Sequence, residues 1–188
     1  MGIITLVIIA VVIIYTIMTY NSLIAIKHNV AKAWANIDVL LKQRNEELPK
    51  LIDTCKAYMK HEAEVLERVI SARTGVDDAL QKHDVAGLNT AESALVSSLG
   101  GLYAVAESYP DLKANQTFIN LHQRITGLEN QIADRREFYN DTVNINNVRI
   151  QQFPDLIVAR LFNFTSAEML RFSTEELKDV DVSARFNA

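Results

Sequence analysis

The first 26 residues of the chain carry no charged side chain, and the stretch from Ile3 to Met18 is almost wholly apolar. An α-helix needs about 20 apolar residues to cross the ~30 Å hydrocarbon core of a bilayer, since each residue rises ~1.5 Å. A buried helix of a soluble protein is the alternative, but such helices usually keep a polar face. The pattern therefore predicts a transmembrane helix with its membrane-proximal segment over residues 1–26, which makes the lipid bilayer a partner.

Two other uses of an apolar N-terminal segment fit these residues poorly. A cleaved secretory signal needs basic residues before the apolar run and an Ala-x-Ala-like site after it, and the sequence shows neither. N-myristoylation requires Ser or Thr at the sixth position, where this chain has Leu6. The residues therefore favour an uncleaved membrane anchor.

Basic residues predict the side of the membrane on which the rest of the chain lies, because they accumulate on the cytoplasmic side of a span. Lys27, Lys32, Lys42 and Arg44 follow the apolar run, whereas only an α-amino group precedes it. We therefore expect a single-pass protein whose helical domain lies in the cytoplasm.

Apolar residues after Lys27 recur every three or four positions, which is typical of amphipathic helices that pack on other helices. The first series keeps its phase through Pro49. We therefore expect one long helix over residues 27–73, kinked at Pro49 and ended by Thr74-Gly75. It is expected to continue the membrane helix, because no helix-breaking residue separates the two.

Two further long helices are predicted, over residues 85–108 and 118–153. Gly100-Gly101 in the former indicates a close backbone approach or a local break. The latter has a clean heptad repeat in which Arg135 and Asn146 occupy apolar positions, and polar residues there fix register at some cost in stability. Pro154 ends this helix, and a short apolar helix is expected over residues 156–162.

The expected fold is all-α: a transmembrane helix that continues into an elongated antiparallel bundle of three long helices plus a short fourth. The expected divisions are 1–26 for the membrane segment, 27–164 for the helical bundle and 165–188 for a C-terminal tail. The tail has weak helical signal, and its residues 182–186 are expected to be extended.

The composition argues against several classes of function. The net charge is −4 and no basic patch is interleaved with aromatic residues, so we expect no nucleic-acid partner. The single cysteine, Cys55, falls on an apolar stripe, which predicts a buried structural thiol.

Motifs for catalysis are also missing from the sequence. It contains no Glu-x-x-His pair of a di-metal bundle, no Gly-x-Ser-x-Gly and no glycine-rich phosphate loop. His61, Glu64 and Glu129 are the remaining metal-site alternative, and solvated helix charges account for them better. We therefore expect a protein without cofactor, metal or catalytic activity.

Polar and aromatic residues stand where a simple bundle would carry leucine, and asparagines crowd the later part of the third helix although asparagine is a mediocre helix former. These residues either pack within the protein or contact a neighbouring protomer or partner, and Phe138 is a further aromatic of this kind. The predicted interaction residues are Trp34, Arg44, Tyr58, Glu62, Arg135, Arg136, Tyr139, Asn140 and Asn146.

Several of these residues belong to spaced motifs by which the chain resembles the bacterial LemA family over about residues 20–164. In chain order the motifs are Tyr20-Asn21, Trp34-x-x-Ile37-Asp38-Val39, Glu47-Leu48-Pro49, Tyr58-x-x-His61-Glu62, Tyr109-Pro110-Asp111-Leu112, Arg135-Arg136-x-x-Tyr139-Asn140 and Asn146-Asn147. The resemblance implies a single-pass protein of the bacterial inner membrane, built as a bundle of long helices and without established catalytic activity. Family members with a lipid-bearing Cys before the Tyr-Asn pair differ from this chain, which has Thr19 there.

Two functions follow from the sequence and the resemblance. The first is a non-enzymatic, membrane-anchored scaffold that self-associates into an oligomer larger than a dimer and organises or shapes the membrane, as magnetosome-associated relatives suggest. The alternative is a membrane-tethered module that binds a client or stress-response protein, with the motif residues facing that partner.

Overall fold

A computed structural model describes residues 1–171 of the chain, and every regular element in that part is a helix. The elements are α1 (Gly2–Lys56), α2 (Ala63–Lys82), α3 (Val85–Ala106), α4 (Pro110–Lys113), α5 (Gln116–Arg149) and α6 (Asp155–Leu161). The predicted all-α fold class is therefore confirmed. The expectation of an extended segment at residues 182–186 lies outside the described residues.

Helix α1 is uninterrupted and contains both the apolar run and the first amphipathic series. Its N-terminal part is long and apolar enough to cross a membrane. Pro49 lies inside the helix, as the unbroken phase of the apolar series predicted. Beyond the apolar run, one stripe of α1 is buried, comprising Ile37, Leu41, Arg44, Leu48, Leu51 and Cys55.

The predicted end of this helix at Thr74-Gly75 is wrong. Helix α1 already ends at Lys56, and α2 is a separate helix that runs through Thr74 and Gly75. Residues 1–171 therefore contain four helices of 20 residues or more, where the sequence predicted three, together with the short α4 and α6.

A two-residue connection joins α2 to α3. His83 adopts a left-handed conformation with φ of 53°, and the Asp84 amide donates to the Ala79 carbonyl at 3.0 Å, which closes α2. Asp84 Oδ1 then accepts the Gly87 amide at 2.9 Å and caps α3. A Cβ at position 87 would lie 2.4 Å from Asp84 Oδ2, so the capping carboxylate would have to shift to accommodate any other residue there.

Helices α3 and α5 match the second and third predicted long helices closely. Gly100 and Gly101 lie within continuous helix, and a Cβ at either would meet nothing within 4 Å, so the expected break or close approach is not found there. Asn115 Oδ1 accepts the Phe118 amide at 3.0 Å and caps the start of α5. Helix α6 agrees with the predicted short helix near residues 156–162.

The chain divides into two compact units. Unit 1 contains Met1–Arg44 and Thr126–Met169, hence most of α1, the later part of α5, and α6. Unit 2 contains Asn45–Ile125 together with Leu170 and Arg171, hence the end of α1, the helices α2 to α4 and the start of α5. The sequence-based boundaries at residues 26 and 164, and the arrangement of the helices as one bundle, stay predictions.

Candidate functional site

An aromatic pair joins α1 to α5 in unit 1. The ring centroids of Trp34 and Tyr139 lie 5.6 Å apart at an interplanar angle of 60°, within the range favoured by aromatic pairs. The Tyr139 hydroxyl donates to the Glu168 carbonyl at 2.9 Å. Burial, helped by the Glu168 carboxylate, raises the pKa of Tyr139, so its hydroxyl remains a donor at neutral pH.

Two asparagines near the end of α5 hold residues 165–169, here called the strap. The Asn147 side chain donates to the Ala167 carbonyl and accepts the Ala167 amide, both at 2.9 Å, as a neighbouring peptide group would. Asn146 is buried and donates to the Thr165 carbonyl at 3.3 Å. Asn146 and Asn147, which are unfavourable within a helix, therefore supply hydrogen-bond partners for the backbone groups of the strap.

A partly buried ion pair also joins α1 to α5 in unit 1. Arg44 is fully buried, and its Nη1 lies 3.0 Å from Glu129 Oε1. A buried charge is tolerated when a partner of opposite charge compensates it. Glu129, one of the three residues of the alternative metal site, therefore pairs with Arg44. Within residues 1–171, no group of three or more His, Cys, Asp or Glu side chains is placed to hold a metal ion.

The two consecutive arginines of α5 differ in environment. The heptad pattern placed Arg135 in the buried seam, but the structure exposes Arg135 and leaves Arg136 only 5% exposed. The buried side of α5 therefore runs from Ile132 through Arg136 to Tyr139. Helical neighbours are three or four residues apart, so the spacing alone fits Arg136 as well as Arg135. Asn140 is half-buried.

The motif residues Tyr58 and Glu62 lie in unit 2, in the loop between α1 and α2. The side-chain Nδ2 of Asn115 donates to the Tyr58 hydroxyl at 3.0 Å, and the Tyr109 hydroxyl donates to Glu62 Oε1 at 3.2 Å. Desolvation and the neighbouring Glu62 carboxylate raise the pKa of Tyr109. These contacts fix the loop against residues 109–115 and so determine where α1 ends.

Cys55 is buried in unit 2. Burial raises the pKa of its thiol to about 11, which keeps the thiol protonated and unreactive at neutral pH. This environment agrees with the predicted structural thiol.

The outward surface of α5 in unit 1 combines apolar and acidic side chains. Phe138, Ile145 and Val148 are 50%, 55% and 44% exposed. The sequence pointed to Phe138 but missed the other two, because periodicity draws attention to the buried stripe. The side chains of this surface, here called the α5 face, are Asp134, Glu137, Phe138, Asp141, Ile145 and Val148.

The outward surface of α1 in unit 1 is basic. Four of its exposed side chains, here called the α1 face, are His28, Lys32, Val39 and Lys42, of which Lys42 pairs with Asp38 of the same helix at 2.7 Å. Helices α1 and α5 are antiparallel in unit 1, since Trp34 contacts Tyr139 and Arg44 pairs with Glu129. The two faces consequently point away from each other, and Lys32 lies at about the same height along the helices as Asp141.

Comparison with known proteins places the chain in a family. The family model described as "LemA family" matches residues 33–184. The chain is 27% identical to "Protein LemA" of Metamycoplasma hominis, over 87% of this chain and 74% of that protein.

Two further relatives come from Paramagnetospirillum magneticum, "Magnetosome protein MamQ 1" and "Magnetosome protein MamQ 2". Each is 24% identical to the chain, over 81% of this chain. The chain spans 64% of the length of these two relatives. With the family model covering most of its residues, the chain belongs to the LemA family.

Proposed function

We propose that this protein is a non-enzymatic, membrane-anchored scaffold that self-associates into an oligomer larger than a dimer. The apolar run of α1 anchors it as a single-pass protein of the inner membrane. Its helical part lies on the cytoplasmic side, because basic residues follow the run. An assembly of this kind organises or shapes the membrane that holds it.

The observation that carries this proposal is the complementarity of the two outward faces of unit 1. The α5 face presents three acidic residues around exposed Phe138, Ile145 and Val148, whereas the α1 face presents lysines around exposed Val39. Burying such apolar side chains stabilises a contact by up to about 1.5–3 kcal/mol each. Opposite charges select the correct pairing of faces and suppress others.

The membrane sets the relative heights of neighbouring copies. Copies anchored in one membrane stand in the same direction, so the α1 face of one copy meets the α5 face of the next at matching height, with Lys32 beside Asp141. Anchoring also raises the effective concentration of the copies. The faces are thereby brought together without any contact between the membrane helices.

The subunit number follows from the kind of contact. The two faces differ, so the contact between copies is heterologous, and a heterologous contact repeats until a ring closes or a row forms. More than two copies therefore assemble.

The two magnetosome relatives support a membrane-organising role by name only, and the chain spans 64% of their length.

Charge reversal tests the proposal. Lys32→Glu and Asp141→Lys are each expected to reduce the mass of the full-length protein in mild detergent, measured by light scattering with the detergent contribution subtracted. The double variant restores attraction between neighbouring copies, so its mass is expected to return to that of the wild type. Glu67→Lys, an equal charge reversal at an exposed position of α2, is the matched control and leaves the mass unchanged.

Rescue in the double variant distinguishes a contact between copies from a loss of folding. Single variants that keep the wild-type mass would contradict the proposed interface. A monomeric mass for the wild-type protein would contradict self-association altogether. The α5 face would then be a surface for a different protein, as in the binding-module alternative.

A further inference from the structure

Helix α6 packs beside the end of the apolar run in unit 1. The Tyr15 hydroxyl donates to Asp155 Oδ1 at 2.8 Å, and the Tyr20 ring centroid lies 4.7 Å from that of Phe162. Leu23 joins a core cluster with Ile150, Val158 and Ala159. The beginning of α6 is thus level with Tyr15 and its end level with Tyr20, so the short helix runs beside the last turns of the predicted membrane span.

The side of α6 that faces away from α1 exposes mainly apolar side chains, with Arg160 beside them. Ile157 and Leu161 are 61% and 68% exposed, and their four-residue spacing places them on one side of α6; Phe153, in the turn before the helix, is 81% exposed. A short helix of a soluble protein turns its polar residues outward. At the same level, α1 exposes Ile14, Ile17 and Met18, so two neighbouring elements are apolar on their outer surfaces.

The carboxylate of α6 points the other way, into the protein. Asp155 is only 6% exposed, accepts the Tyr15 hydroxyl and forms an ion pair with Arg149. Ionised groups at the depth of a membrane are costly unless they are paired and face the protein. This helix therefore pairs its carboxylate inward and turns Ile157 and Leu161 outward, together with Arg160, whose long side chain reaches toward the headgroups.

We propose that α6, together with Phe153, is a second membrane-contacting element that lies in the surface layer of the bilayer and turns its apolar side toward the acyl chains. Its seven residues are too few to cross a bilayer, so α6 reaches only the headgroup end of the acyl chains, beside the last turns of the span. Lipid is the occupant because α6 is level with the span. Tyr15 and Tyr20 then lie at the depth where tyrosines anchor helices.

The inference rests on the proposed membrane span of α1, so its test includes a position in that span. In a Cys55→Ala background, Ile157→Cys is labelled with an environment-sensitive fluorophore. The full chain is reconstituted in phosphatidylcholine and phosphatidylglycerol vesicles that contain lipids with a nitroxide near the headgroup end of the acyl chain. Ile9→Cys is the span position, read with a nitroxide deep in the acyl chain.

The matched control is Ile145→Cys, the same residue type in the same unit, with 55% exposure against 61% for Ile157. The fluorophore at position 157 is expected to shift its emission to the blue and to lose most of its intensity to the shallow nitroxide, whereas position 145 loses little. Leu161→Cys repeats the measurement at a second site of α6, and circular dichroism checks the helix content of each variant.

Each contrary outcome has a distinct meaning. Quenching at position 9 without quenching at 157 and 161 would overturn the inference and leave the span intact. A blue shift at 157 without quenching would also overturn it, because a second protein copy would then cover α6. Absence of quenching at all three positions would contradict the proposed span itself.

Discussion

The guanidinium of Arg44 is fully buried in unit 1, and its Nη1 lies 3.0 Å from Oε1 of Glu129. Breaking a buried pair by removing one partner costs about 3–5 kcal/mol, because the remaining charge loses its compensation. Because the Glu129 side chain is 27% exposed, Glu129→Gln is expected to lower the free energy of unfolding by less than that, about 1–3 kcal/mol. The measurement is thermal unfolding in mild detergent, followed by circular dichroism.

The control for this prediction is Glu64→Gln. Glu64 also pairs with an arginine, Arg68, but its side chain is 87% exposed, and exposed pairs contribute about 0–1 kcal/mol. Its substitution should leave the unfolding temperature nearly unchanged. Equal effects of the two substitutions would show that the Arg44 pair is no more important than a surface pair.

Asn147→Ala is expected to release the strap from α5. The substitution removes both 2.9 Å hydrogen bonds to Ala167, which contribute about 1–2 kcal/mol together. Hydrogen exchange of the amides of residues 165–169 should accelerate while exchange in the core of α5 stays slow. Asn144→Ala, an exposed asparagine on the same helix, should change neither rate. Unchanged exchange in the strap would mean that other contacts hold it.

Alkaline pH is expected to destabilise the fold through Cys55. Burial raises the pKa of its thiol from 9.0 to about 11, so the contribution of the thiol is fully present below pH 9 and is lost as the pH rises to about 11. A difference of two pKa units between the folded and unfolded states corresponds to about 2–3 kcal/mol in the free energy of unfolding. The unfolding temperature of the wild type should fall between pH 8.5 and 10.5 by more than that of Cys55→Ala, which retains every tyrosine. Parallel decreases in the two proteins would contradict this role of the thiol.

The predicted orientation has a direct test in cells. Glu67→Cys in a Cys55→Ala background places one thiol at an exposed position of α2, outside the α1 and α5 faces. A membrane-impermeant maleimide added to cells with a permeabilised outer layer should label it only after the inner membrane is broken. Labelling of intact cells would place the helical part outside the cytoplasm.

The course of the helices could be predicted from the sequence wherever the signal is local. The series of apolar residues keeps its helical phase through Pro49, and α1 does continue through this proline. The end of α1 could not be predicted, since the loop at residues 57–62 contains neither Gly nor Pro, and Tyr58 and Glu62 fit the helical rhythm. Hydrogen bonds to Asn115 and Tyr109, about 50 residues away, fix this loop, and periodicity does not report them.

The candidate surface illustrates the same limit. Periodicity identified the buried stripe of α5 up to Tyr139 and Asn146, but steps of three and four residues cannot be distinguished, so Arg135 was taken for Arg136. Ile145 and Val148 lie outside that stripe and gave no periodic signal. Ile145 and Val148 matter because they are exposed beside acidic residues. Which side of α5 is exposed becomes known only when the packing of α5 on α1 is known.

The mass of the full-length protein in mild detergent, by light scattering with the detergent contribution subtracted, tests self-association most directly. A discrete particle of more than two chains of 21.1 kDa is the predicted result. A strictly monomeric protein would contradict the scaffold, because the complementary α1 and α5 faces would then not bring copies together.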